Sequence, residues 1–192
     1  MISPENNPFT PGRTVPVEFF VGRMKQIEDV RYSIRRAAIG KQENIFLTGP
    51  RGMGKSSFAA FIRHLISKDE RALAIHVYLG GVSTLEELVQ RIYDELLKRS
   101  SEQTWFSKIK DMFGDYVQEI GLFDVSIRFS PPKEKLTQLV RDFPEALKNL
   151  LTRLDGSKST LFIALDDING LAETQLFADW YKSLVDKVST HY

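Results

Sequence analysis

The sequence contains no cysteine, which excludes a disulfide scaffold and any metal site built on thiolates. It also lacks an excess of charge. Twenty-six Lys and Arg face 25 Asp and Glu, for a net charge of +1, so bulk electrostatics give no argument for nucleic acid or an anionic lipid surface. No apolar run approaches the ~20 residues needed to cross a bilayer. The opening residues, MISPENNPFTPGRTVP, have no basic start followed by an apolar stretch, so no secretory leader is visible. There is no internal repeat and no low-complexity tract. The expectation is a cytoplasmic protein without a membrane partner.

What is present is ordinary globular composition, 42% hydrophobic and 27% charged over 192 residues, enough for one domain with a sizeable core and room for an insertion. Residues 1–18 carry four prolines and should run extended. Apolar positions at Met24, Ile27, Val30, Ile34, Ala37 and Ala38 have helical spacing, closed by Gly40. NIFLT (44–48) reads as a short buried strand, and SSFAAFIRHLIS (56–67) as a helix with a wide apolar face. LAIHVYL (73–79) reads as the next strand; Thr84 and Glu87 form a capping box ahead of the helix LEELVQRIYDELLKR (85–99).

Residues 100–135 break the alternation and read as an insertion at the edge of the core. Within it WFSKIKDMFGDYVQEIG suits one or two amphipathic helices, and LFDVSIRF (122–129) suits a strand or half a hairpin with an exposed edge. Helix resumes over 136–154, with Pro144 expected to kink or restart it. STLFIALDD (159–167) is the most apolar strand, and 172–188 a last helix. Strands alternating with helices predict an α/β three-layer sandwich on a mostly parallel sheet.

The chemistry is concentrated in LTGPRGMGKSSF (47–58). Gly49, Gly54, Lys55 and Ser56 fit G-x-x-x-x-G-K-[ST] between a predicted strand and a predicted helix. Glycine is needed where backbone N–H groups must wrap a β-phosphate, because a Cβ would block the approach. The helix that follows aims its N-terminal amides at the same anion. Lys55 supplies a point charge near the β and γ oxygens, the Ser56 hydroxyl can ligate Mg2+, and Ser57 can reach an α-phosphate oxygen. The phosphate-binding set is therefore Gly49, Pro50, Arg51, Gly52, Met53, Gly54, Lys55, Ser56 and Ser57. Arg51 also reads as a solvated loop cation.

Asp166 and Asp167 end the apolar strand, which delivers both carboxylates to the carboxyl edge of the sheet. Asp166 suits a Mg2+ ligand acting through water, and Asp167 a group that orients or deprotonates the attacking water. The same pattern also occurs at helix N-caps, but here it lies downstream of a phosphate loop. His64 and His76 have no partner at metal-ligand spacing and read as structural. Trp105, Phe106 and Phe113 read as packing or a partner surface.

NPFTPG (7–12), FVGR (20–23), GPRGMGKSS (49–57) and FIALDD (162–167) together resemble the prokaryotic AAA-like and STAND ATPases, P-loop proteins related to the replication-origin initiators. The resemblance covers essentially the whole chain. It implies ATP with Mg2+ as cofactor, and it places Phe20, Val21 and Gly22 near the adenine, although these three suit a hydrophobic staple at the entry to a helix as well.

Two departures stand out. Many AAA ATPases end the metal strand in Asp-Glu, whereas this chain has Asp-Asp, which suggests slow turnover and a nucleotide-controlled switch. The resemblance also calls for a sensor strand between the phosphate-loop strand and the metal strand, a fifth strand and a helical lid. None has a candidate here, so the expectation is the N-terminal part of a longer protein. Its protein partner or self-association would then involve the region after Tyr192. Two alternatives stay open: a DNA-associated initiator or loader ATPase, which the balanced charge does not support, and a scaffold that holds nucleotide with little turnover.

Overall fold

A computed structural model of the chain describes residues 14–68, 72–100, 106–120, 126–153 and 160–189. Trp105, NPFTPG (7–12) and the first part of the expected strand 122–129 lie outside the described residues.

A 3-10 turn, Val17–Phe19, leads into α1 (Met24–Ala38), followed by α2 (Lys55–Ser67), β1 (Ala72–Tyr78), α3 (Leu85–Ser100) and α4 (Phe106–Phe113). Then come β2 (Val117–Ile120), β3 (Ser126–Phe129), α5 (Lys133–Arg153), β4 (Thr160–Asp166), α6 (Asn169–Ala172) and α7 (Gln175–Ser189). β1 and β4 pair in parallel, with His76 opposite Ala164 and Tyr78 opposite Asp166. β2 and β3 form a separate antiparallel hairpin.

Strand periodicity sorts the core into two layers around β1 and β4. Leu73, Ile75 and Val77 of β1, with Leu79 just after it, face α3, α5 and α7, in a cluster with Leu88, Ile92, Tyr93, Leu96 and Phe143. Ala72 and Ala74 face the other way, where Phe58 and Ile62 of α2 and Ile27 and Val30 of α1 pack. Two alanines on that face let α2 approach the sheet closely. Each large apolar side chain buried in these layers stabilises the fold by about 1.5–3 kcal/mol. The architecture is α/β, with helices on both faces of a small parallel sheet.

Local signals explain the element ends. Gly40 adopts φ +87°, and the Gly40 and Lys41 amides donate to the Ala37 and Arg36 carbonyls at 2.9 Å each, a Schellman closure of α1. The Glu87 amide donates to Thr84 Oγ1 at 3.2 Å and the Ser83 amide to Glu87 Oε2 at 3.3 Å, which satisfies the first turn of α3 as expected.

Three expectations are corrected. Residues 44–48 form no strand. Ile45, Phe46 and Leu47 are exposed, because no described strand lies beside them to complete a ladder. Tyr181 of α7 holds this segment instead, through its hydroxyl on Asn44 Oδ1 at 2.9 Å and an edge contact with the Phe46 ring. VQEI (117–120) is strand, not helix, because it pairs with β3. Pro144 does not restart the helix, since α5 runs through it.

The hairpin edge also differs from the exposed edge expected. Asp94 Oδ1 accepts the Phe129 amide at 2.6 Å, and Gln90 Nε2 donates to the Phe129 carbonyl at 3.2 Å. Two side chains of α3 thus take the place of a strand partner at Phe129. Phe113 is buried in the same aromatic cluster, a packing role.

Candidate functional site

The loop between residue 48 and α2 takes its shape from its glycines. Gly49, Gly52 and Gly54 have φ of +138°, +84° and +75°, values that L side chains rarely adopt. A Cβ on Gly49 or Gly52 would meet nothing within 4 Å, so the space over the loop is open and these glycines answer to backbone conformation. Lys55 Nζ donates to the Gly49 and Pro50 carbonyls at 2.7 and 2.9 Å. The ammonium thus lies across the loop, beside the first turn of α2.

Period 2 in β4 sends Asp166 to the same face as Phe162, the α2 face. There the Ser56 hydroxyl lies close enough to the Asp166 carboxyl to favour its ionised form, and His76 Nε2 lies 3.1 Å from Asp166 Oδ2. His76, Ser56, the positive field of the imidazole and the Asp167 amide hold the Asp166 carboxyl below its usual range, against the opposing effect of burial. Ser56 and Asp166, 110 residues apart in the sequence, thus lie near one another.

Asp167 has φ +58°, which ends the strand. Its Oδ2 accepts from the Tyr78 hydroxyl and its Oδ1 from Asn169 Nδ2, both at 3.1 Å. The bond to Asp167, and the negative charge there, push the Tyr78 phenol up.

The segment ahead of α1 lies over the start of α2. The Val15 amide donates to Ser57 Oγ at 3.0 Å, so the buried Ser57 hydroxyl already serves the fold. Phe20 stacks on Phe61 with centroids 4.5 Å apart and belongs to the α1–α2 core, the staple role. Val21 is 87% exposed, and Gly22, at φ +84°, is on the surface beside it. Arg51 and Met53 are exposed on the loop.

Sequence reasoning missed three residues. Arg23 bonds the Met53 carbonyl through Nη2 and lies over the Phe58 ring at 5.7 Å, tying the FVGR element to the back of the loop. His76 and Tyr78 each hold one of the paired aspartates from the neighbouring strand. The alternation of β1 puts both on one face, but the pairing register that brings them to β4 is not legible in either strand alone.

A Mg2+ site of this class is completed by phosphate oxygens and water rather than by an all-protein cage. The donor set fits: the Ser56 hydroxyl and the Asp166 carboxyl, near enough for the one to favour the ionised form of the other, both offer oxygen. Among the described residues no cluster of three His, Asp or Glu could hold a metal by itself. Also among the described residues, no helix is long and apolar enough to cross a membrane.

The family model described as AAA ATPase domain matches residues 20–183, a span that takes in the loop, both aspartates and most of α7. No curated protein and no solved structure matches the chain. The match to the family model spans more than half of the chain, and the chain belongs to the AAA ATPase domain family.

Proposed function

We propose that this domain binds Mg–ATP between the loop 49–57 and the end of β4, hydrolyses it slowly, and acts as a nucleotide-controlled switch of the STAND or AAA type, read by a protein partner. The placement of Ser56 at the head of α2, close enough to the Asp166 carboxyl to favour its ionised form, carries the reading, because it supports one cation bridging the two halves of the site. The loop amides and the α2 N-terminus bind the phosphates. Lys55 exchanges the Gly49 and Pro50 carbonyls for phosphate oxygens. Ser56 and Asp166 would hold Mg2+, which when bound neutralises charge on the β and γ oxygens. Asp167 orients the attacking water. Mg-dependent phosphate release, with Lys55→Ala as control, tests the proposal. Release that stops in the variant supports it; equal release in both overturns it.

A second reading, a nucleotide-holding module with little turnover, is favoured by one observation: both oxygens of Asp167 already accept hydrogen bonds. Tight ATP binding without phosphate release would select it.

A further inference from the structure

The ring of Tyr78 is folded back over Gly80. A Cβ on Gly80 would lie 2.6 Å from Tyr78 Cε1 and from its hydroxyl oxygen, and 2.7 Å from Cζ. No contact that close is tolerated, so this pose requires glycine at 80. The backbone of Gly80 itself does not: its φ lies outside the left-handed range, and alanine would be acceptable there if the tyrosine ring were elsewhere.

Apolar burial does not account for the pose, since Tyr78 is 59% exposed. The surrounding backbone is fixed independently. Arg91 Nη1 donates to the Tyr78 carbonyl at 2.7 Å, and the Leu79 amide donates to the Asp166 carbonyl at 2.8 Å. What the folded-back ring gains is the hydrogen bond from its hydroxyl to Asp167 Oδ2.

Asp167 has need of it. The residue is exposed, short, and in left-handed backbone at the end of a strand, so its side chain would otherwise sample several rotamers. Donors on its two oxygens, Tyr78 on one and Asn169 on the other, leave one orientation. We propose that Tyr78 is a positioning residue for Asp167, and that Gly80 is kept free of a side chain so that Tyr78 can reach it. The inference rests on the reading of Asp167 as the group that orients the attacking water. A misaimed carboxylate slows that step without changing how the phosphates are bound.

The test uses Tyr78→Phe, Tyr78→Ala, Gly80→Ala and the double variant Tyr78→Ala/Gly80→Ala, with kcat for Mg–ATP hydrolysis and Kd for ATP measured on each. Tyr78→Phe should lower kcat about 10-fold, the low end for partners that orient a functional ligand, with Kd unchanged. Gly80→Ala should do the same in the parent chain and add nothing in Tyr78→Ala, because there is no ring left to displace. An unchanged kcat in Tyr78→Phe, or an equal further loss from Gly80→Ala in the Tyr78→Ala chain, overturns the proposal. A readout that needs no turnover is the near-ultraviolet tyrosine band. A phenol donating to a carboxylate absorbs at longer wavelength, so Asp167→Ala should shift the band to the blue, and the shift should vanish in a Tyr78→Phe background. No shift with Asp167→Ala overturns the contact. A parent chain that binds no ATP sinks this inference together with the function it rests on, whereas intact ATP binding with kcat and band indifferent to Tyr78 sinks this inference alone.

Discussion

His76 Nε2 stands 3.1 Å from Asp166 Oδ2, with the two side chains only 14% and 11% exposed. They sit on adjacent parallel strands, on the face that meets the N-terminus of α2. The imidazole is the largest influence holding the Asp166 carboxyl below its usual range, so it keeps the group ionised and aimed beside Ser56.

Removing that support should weaken the metal more than the nucleotide. His76→Ala is expected to lower apparent Mg2+ affinity about 10-fold, the lower bound for losing an outer partner of a ligating group, with metal-free ATP binding little changed. Calorimetric titration of the ATP complex with Mg2+ checks this. Equal Mg2+ affinity in both chains would show that His76 only fills space.

Pro144 has no N–H to offer the Val140 carbonyl one turn earlier in α5, and Trp180 Nε1 of α7 donates to that carbonyl at 3.3 Å. Pro144→Ala restores an N–H at this turn. Trp180→Phe should therefore cost about 1 kcal/mol less in the Pro144→Ala chain than in the parent. Denaturant unfolding of the four chains measures the coupling, and strictly additive losses would contradict it.

Burial pushes the Asp94 carboxyl up, against the Phe129 amide, Lys98 and Arg128. A carboxylate raised in the native state binds its proton more tightly there than when unfolded. Stability is therefore lost as pH climbs from the ordinary carboxylate value, about 4, through the raised one. Asp94→Asn keeps an oxygen for the Phe129 amide and avoids burying the charge. The variant should melt with the parent below about pH 4 and slightly higher at pH 7, by a few degrees at most. A lower melting temperature for Asp94→Asn at pH 7 would contradict this account of the hairpin anchor.

The parts of the site that rest on local chemistry were legible in the sequence: the glycine spacing of 49–54, Lys55 and Ser56 at the head of α2, and two aspartates closing an apolar strand. The parts that rest on long-range pairing were not. His76 and Tyr78 gain their roles from residues about 90 positions away, through a parallel register that no local pattern encodes. NIFL has the composition of a buried strand, yet a strand exists only where another offers it a ladder. Among the described residues nothing does so, and Ile45, Phe46 and Leu47 stay exposed. VQEI is too short for its period to separate strand from helix; only its pairing with SIRF decides it.

The central claim is that the loop at 49–57 and the end of β4 together bind Mg–ATP. Isothermal titration with ATP in the presence of Mg2+, on the parent chain and on Lys55→Ala, tests it most directly. The account predicts one binding site in the parent and an affinity at least about 100-fold weaker in Lys55→Ala, as expected from losing a charge-assisted contact of about 3 kcal/mol. No heat in the parent chain, or the same affinity in both, would contradict it.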